Sequence, residues 1–128
     1  MGEKITVLAS KSATQGYEIF FQQGHEGSGP PPHSHDWDET FFVLSGSVEI
    51  SYENMTATAT RGTLVHVPAG TLHSFKFGAE GGEMLSITSH DGNAASLFHT
   101  IDEEIAPGPP DVPKLLDIAS RCGVHVEP

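Results

Sequence analysis

His33, His35, Glu39 and His73 are the residues whose types and spacing could do chemistry together. They fall in two runs, PPPHSHDWDETFFVLSG and GTLVHVPAGTLHSF. Three imidazoles and one carboxylate form a ligand set for one divalent transition metal. Imidazole suits Fe, Ni, Cu or Zn, and the carboxylate oxygen adds affinity for harder ions such as Mn. His33 and His35 are two apart, so on an extended strand they point to the same face. Glu39, Phe41 and Val43 share that parity, and His73, Phe75 and Phe77 form a second such row. If both rows face inward, the four polar side chains meet above an apolar floor, in a dry and shaped cavity of the kind a metal site uses. Pro30–Pro32 locks its φ angles and delivers His33 on a stiff extended lead-in. A turn at Pro68 and Gly70 sets where His73 enters.

Around this set the candidates for contact with a substrate are Phe41, Phe75, Phe77, Trp37 and Phe21. The three inward phenylalanines either line an apolar pocket or fill the interior. Trp37 lies between His35 and Glu39, as a lid over the site or as a rim contact. Tyr17, Ile19 and Phe21 are expected to form the inner row of their strand. His25, His90, His99 and His125 read as ordinary surface histidines, and His66 as a rim residue. Among the ligand strands the one basic residue is Lys76, with outward parity. No Ser-His-Asp arrangement, phosphate-cradling glycine loop or nucleotide fingerprint is present.

The elements that must hold these residues read as short strands: 4–8, 17–22, 40–44, 47–52, 55–60, 63–67, 72–77 and 83–89. Val48, Ile50 and Tyr52 alternate with Ser47, Glu49 and Ser51. Ser45-Gly46 and Glu53-Asn54 are expected hairpin turns, and Gly78–Gly82 a looser one. Many short strands at close spacing imply an all-β sandwich or barrel. The tail differs. Within residues 91–101 a short helix is expected after Asp91-Gly92-Asn93, Pro107–Pro110 reads as a stiff linker, and DVPKLLDIASRCG as a second helix. Asp111 lies in its N-cap region, Pro113 in its first turn, Arg121 in its last turn and Gly123 just beyond. Leu115, Leu116, Ile118 and Ala119 form an apolar stripe that needs a surface to cover.

The 128 residues fit one domain. Seventeen acidic against six basic residues give a formal charge of −11. That balance opposes phosphate backbones and anionic membranes, which need clustered Lys and Arg. No run approaches the roughly 20 apolar residues of a membrane span. Cys122 is the sole cysteine, so no internal disulfide forms. The N-terminus MGEKITVLAS does not read as a secretory signal. The expectation is a cytoplasmic protein with a small-molecule substrate, and with neither nucleic acid nor membrane as partner.

The residues also resemble a family. Gly27-x5-His33-x-His35-x3-Glu39-x6-Gly46 resembles the first cupin motif at each fixed position, and Gly62-x5-Pro68-x-Gly70-x2-His73 resembles the second. The pattern ends on Asn where this chain has Phe77, a position that holds no metal in the family. The resemblance implies an all-β cupin double-stranded β-helix, or jelly-roll, barrel over residues 3–90 and a short C-terminal helical extension over 91–128, as a single cupin domain. It also implies His33, His35, Glu39 and His73 as ligands and a homodimer. The tail resembles that of small quercetin 2,3-dioxygenase-like cupins, in which a 3-His/1-Glu site holds Mn, Fe, Ni or Co. By that resemblance Glu39 is both ligand and base toward a flavonol hydroxyl. A dioxygenase for a small aromatic or enolic substrate is therefore expected. A non-catalytic metal-stabilised binding or sensor cupin, or an O2-independent metal-assisted isomerase, stands as the alternative.

Overall fold

The computed structural model describes residues 2–89, 92–109 and 111–127. The elements run β1 (Lys4–Ala9), α1 (Lys11–Thr14), β2 (Glu18–Gly24), β3 (His33–His35), β4 (Glu39–Tyr52), β5 (Met55–Thr60), β6 (Leu64–Val67), β7 (His73–Thr88), α2 (Ala94–Glu104), α3 (Val112–Arg121) and β8 (Val124–Val126). All eight strands join one antiparallel sheet in the order β1-β2-β7-β3-β8, with β4 pairing β5, β6 and β7. The sheet curls around a core of Phe41, Val43, Val48, Ile50, Ala59, Val67, Phe75, Phe77 and Met84.

Two expected turns are not turns. Ser45-Gly46 and Gly78–Gly82 lie inside long strands, β4 and β7, which pair with each other along both halves. Glu39 to Gly46 oppose Thr88 to Gly82, and Val48 to Tyr52 oppose Phe77 to His73. The ladder shifts register at Leu44 and again between Gly46 and Val48, where Ser47 faces the segment 78–81. An extra residue in a strand moves the following side chains to the other face. The inner residues of β4 accordingly change from Glu39, Phe41 and Val43 to Val48 and Ile50. Those of β7 change from His73, Phe75 and Phe77 to Met84, Ser86 and Thr88. Gly46 has φ 69°, and a Cβ there would lie 2.1 Å from the Gly81 oxygen. Only glycine permits so close a crossing. The Glu53-Asn54 turn joins β4 to β5 as expected, with Glu53 at φ 54°.

The parity expected for β2 is corrected. Its register sets Glu18 opposite Thr88 and Phe20 opposite Ser86, so Glu18, Phe20 and Gln22 are buried while Tyr17 is 47% exposed. Phe21 thus leaves the inward set. The adjacent pair Phe20-Phe21 contains no parity signal. The true inner row is partly polar, and its partners come from distant strands: Gln22 Nε2 donates to Ser86 Oγ at 2.5 Å.

The helical tail docks at the same end of the barrel as the histidines. α2 begins at Ala94, directly after the Asp-Gly-Asn run as expected, and its first amides are capped from afar. Glu18 accepts from Ala94 N and Ala95 N, each at 3.1 Å, and from Thr88 Oγ1 at 3.0 Å. A carboxylate satisfies the orphan donors and the positive end of a helix. α3 follows the local signals: Asp111 accepts from Lys114 N at 3.2 Å, and Gly123 follows at φ 81°. Its buried face is Ile118 and Ala119, against a cluster of Trp37, Ala119 and Val124. Leu116 does not join it and is 46% exposed. At 100° per residue it sits 200° away from Ile118, so the two cannot share one face. β8 had no sequence signal; three residues pair with β3 and cover its edge. Among the described residues no helix is long and apolar enough to cross a membrane.

Ile118→Ala is expected to cost about 2–5 kcal/mol, the usual range for a fully buried aliphatic side chain. Leu116→Ala should stay within about 0.5 kcal/mol. Urea unfolding midpoints of the two variants compare these directly. Similar losses would mean that α3 docks through a different face.

Candidate metal centre

The pairing that builds the barrel also assembles the four residues. His33 on β3 is in register with His73 on β7. Glu39 opens β4 and is in register with Thr88 and Val67. The connection between His35 and Glu39 is pinned on both sides. Gly70 N donates to the His35 carbonyl at 2.8 Å, and Ala69 N donates to Asp38 Oδ1 at 2.8 Å. Asp38 N donates to Ser89 Oγ at 2.9 Å. One ligand atom from each of His33, His35, Glu39 and His73 lies within 4.8 Å of the others. Ligand atoms about 2.1 Å from one ion stand about 3.0–4.2 Å apart, from right-angled to opposite positions. A small contraction would therefore suffice to coordinate.

The tautomers can be read from the backbone. His33 Nδ1 lies 2.8 Å from the Pro31 carbonyl oxygen, His35 Nδ1 2.9 Å from that of Trp37, and His73 Nδ1 2.9 Å from that of Thr71. A carbonyl oxygen only accepts, so each Nδ1 carries the proton and each neutral ring keeps a lone pair on Nε2. The Nε2 atoms of His35 and His73 each lie 3.4 Å from Glu39 Oε1. Lone pairs facing a carboxylate repel unless a positive charge lies among them. An imidazolium proton or a metal cation meets that need, and second-sphere carbonyls on Nδ1 are the usual way a metal-binding imidazole is held. The donor set therefore fits a divalent transition ion.

Charge states agree with this. Burial and the neighbouring His73 ring lower the His33 imidazole from 6.5 to about 4, so it is neutral at physiological pH. Burial pushes the Glu39 carboxyl up, but hydrogen bonding and positive charge from the His35 and His73 side more than reverse this and bring it down to about 2; a bound cation in place of the Nε2 protons would act in the same direction. Neutral imidazole and ionised carboxylate are the forms that ligate.

Beneath the ligands lies an aromatic floor. The Phe41 ring is 6.4 Å from that of His73, Phe75 is 5.4 Å from Phe41, and Phe77 is 5.8 Å from Phe75. All three are core residues, 5% exposed or less. Trp37 is neither an open lid nor a rim residue. It is buried, its indole stacked on the His35 ring at 4.3 Å with planes 5° apart. Its Nε1 is buried without a hydrogen-bond partner among the described residues, a loss of about 1–3 kcal/mol. The alternation of the strand could not reveal this stacking, because the contact needs a local bend. His66 is exposed, with Nδ1 3.0 Å from Thr40 Oγ1. His25, His99 and His125 are exposed as well, and His90 lies outside the described residues. Lys76 is exposed on the outer face. A cleft of about 550 Å³ opens along Gln23–Glu26 and Ala79–Glu83, and one of about 710 Å³ is lined by Pro30–Pro32 and Phe75 beside the ligand set; none of the four candidate ligands lines either.

The Cupin domain family matches residues 20–89. This chain belongs to the cupin family. It is 32% identical over 98 residues to the quercetin 2,3-dioxygenase of Bacillus subtilis, covering 75% of this chain and 29% of that protein. It is 44% identical over 41 residues to an uncharacterized protein of Streptomyces coelicolor, covering 32% of this chain and 39% of that protein. The chain thus spans less than half the length of either curated relative. Among solved structures, KdgF from Halomonas sp. superposes with a TM-score of 0.64 at 19% identity, covering 70% of this chain and 81% of that one. The DMSP lyase DddQ from Ruegeria pomeroyi gives 0.62 at 19% identity, covering 68% and 46%. At such identities the likeness is one of fold, and folds of this kind host unrelated chemistries.

His73→Ala should lose most bound metal, because it removes a buried imidazole from the centre of the cluster. His66→Ala and His125→Ala should keep the wild-type content. Elemental analysis of the purified proteins decides this. Equal content in all three would place the metal elsewhere or nowhere.

Proposed function

We propose that this cupin is a metal-dependent dioxygenase for a small aromatic or enolic substrate of the flavonol kind. The observation that carries the reading is the convergence of three Nε2 lone pairs and one ionised carboxylate. The similarity to a quercetin 2,3-dioxygenase over three-quarters of the chain supports the choice of chemistry. His33, His35, Glu39 and His73 are the ligands in this reading, for Fe, Mn, Ni, Co, Cu or Zn. When bound, such an ion supplies Lewis acidity toward a substrate oxygen.

The chain's own residues divide the remaining tasks. Pro31, Trp37 and Thr71 carbonyls hold the three rings in the ligating tautomer. Glu39 is ionised at neutral pH, and in this reading it would accept the proton of an enolic hydroxyl made more acidic by the bound ion. Phe41 and Phe75 keep water from beneath the ligands. The formal charge of −11 supports a small molecule rather than a nucleic acid as partner. The alternative is the non-catalytic binding reading, in which the same four residues hold a metal that stabilises the barrel.

Oxygen uptake per bound metal separates the readings. Wild type should consume O2 with at least one member of a flavonol and enol panel. Glu39→Gln keeps the shape and an oxygen donor but cannot accept a proton at neutral pH. It is expected to hold metal more weakly and to lose at least about 100-fold in rate per metal, the lower range for a general base. Equal rates per metal would remove Glu39 as base. No uptake by wild type across the panel would favour the binding reading.

A further inference from the structure

One residue holds His35 from two directions. The Trp37 carbonyl oxygen accepts the Nδ1–H at 2.9 Å. Its indole lies flat on the same imidazole, 4.3 Å away and 5° from parallel. His33 and His73 are held differently. Their Nδ1 atoms meet the carbonyls of Pro31 and Thr71, and their ring contacts are tilted or edge-on, to each other, to His35 and to Phe41. Stacking thus distinguishes His35 from the other two imidazoles.

Trp37 also packs against the tail. It clusters with Ala119 of α3 and Val124 of β8, and Leu97 of α2 and Val126 of β8 pack against that cluster. A Cβ on Gly123 would come within 3.7 Å of Trp37 Cζ3, so the end of α3 rests against the indole edge. Val124 and Val126 are in register with His35 and His33 on the adjoining strand. The tail therefore presses the indole onto one ring of the ligand set. Packing alone does not account for an indole here. Its buried Nε1 has no partner among the described residues, and a purely apolar ring would carry no such loss. An indole face is electron-rich, and it attracts a ring that becomes partly cationic on binding a metal.

We propose that Trp37 is a positioning residue of the metal centre: it fixes the orientation of His35 and couples docking of α3 and β8 to metal affinity. This rests on the metal-centre reading above. Because coupling is reciprocal, a bound metal also tightens the tail.

Two measurements on the full chain test it, with Co(II) as the probe. In competition against a chromogenic chelator, Trp37→Leu, which keeps apolar bulk without a ring plane, should weaken Co(II) binding about 10–100-fold, as losing an outer-sphere partner does. Trp37→Phe should restore most of the affinity. Leu97→Ala loosens the same cluster but leaves the indole on His35, so it should weaken Co(II) binding clearly less than Trp37→Leu does. The proposal fails if Trp37→Leu binds normally, or if Leu97→Ala loses as much as Trp37→Leu. The second measurement needs no variant, so it holds even if Trp37→Leu does not fold. Trp37 is the sole tryptophan. Open-shell Co(II) should quench its emission strongly, and closed-shell Zn(II) should not. Emission unchanged at saturating Co(II) would overturn the stacking contact in solution. Failure of wild type to bind Co(II) in the chelator assay would instead defeat the metal-centre reading itself.

Discussion

The pairing of β4 with β7 is the interaction on which the rest depends. The two strands run 14 and 16 residues and meet along both halves of their length. A pair so long must twist and coil, and it can do so only where the ladder yields. It yields at Leu44 and again between Gly46 and Val48, opposite residues 78–81, where the backbones come too close for any Cβ on Gly46. The net shift reverses which side chains face inward. Upstream of Gly46 the inner row of β4 contains Glu39, and downstream it contains only apolar side chains. The shift thus lets one strand pair supply inward Glu39, Phe41 and Val43 from one half and inward Val48 and Ile50 from the other.

The ligand set inherits its order from that ladder. His73 lies at the start of β7, so its partner on the neighbouring short strand is His33. Glu39 lies at the start of β4, opposite the end of β7. Strand ends are where the chain turns, and turns supply free carbonyls. Those of Pro31, Trp37 and Thr71 each take one imidazole proton. The chemistry of the site is therefore set as much by main-chain oxygens as by the four side chains.

The tail adds a second layer of control at the same end. Glu18, deep in the barrel on β2, caps α2. α3 and β8 then close over Trp37 and the edge of β3. Arg121 links α3 back to α2 through Glu104 at 2.8 Å, an exposed pair that contributes little by itself. Burial of Ile118, Ala119 and Val124 contributes most of the docking.

Sequence alone determined a good deal. The four candidate ligands and their shared face followed from spacing, because a strand repeats every two residues. The all-β class followed from alternation, and α3 followed from its caps and its Pro, whose signals are local. The tertiary structure decided what no local signal could hold. Ser45-Gly46 and Gly78–Gly82 have the composition of turns, and only the presence of a long partner strand keeps them inside strands. The inner face of β2 could not be read, since Glu18 and Gln22 are inward only because Ser86, Thr88 and the α2 amides stand ready to satisfy them. The three-residue β8 has no pattern long enough to detect. Trp37 was equally opaque, since its stacking on His35 and its contact with α3 join residues on three separate elements. Periodicity and caps are properties of neighbours in the chain; register, bulging and the partners of buried polar groups are properties of segments that meet only when folded.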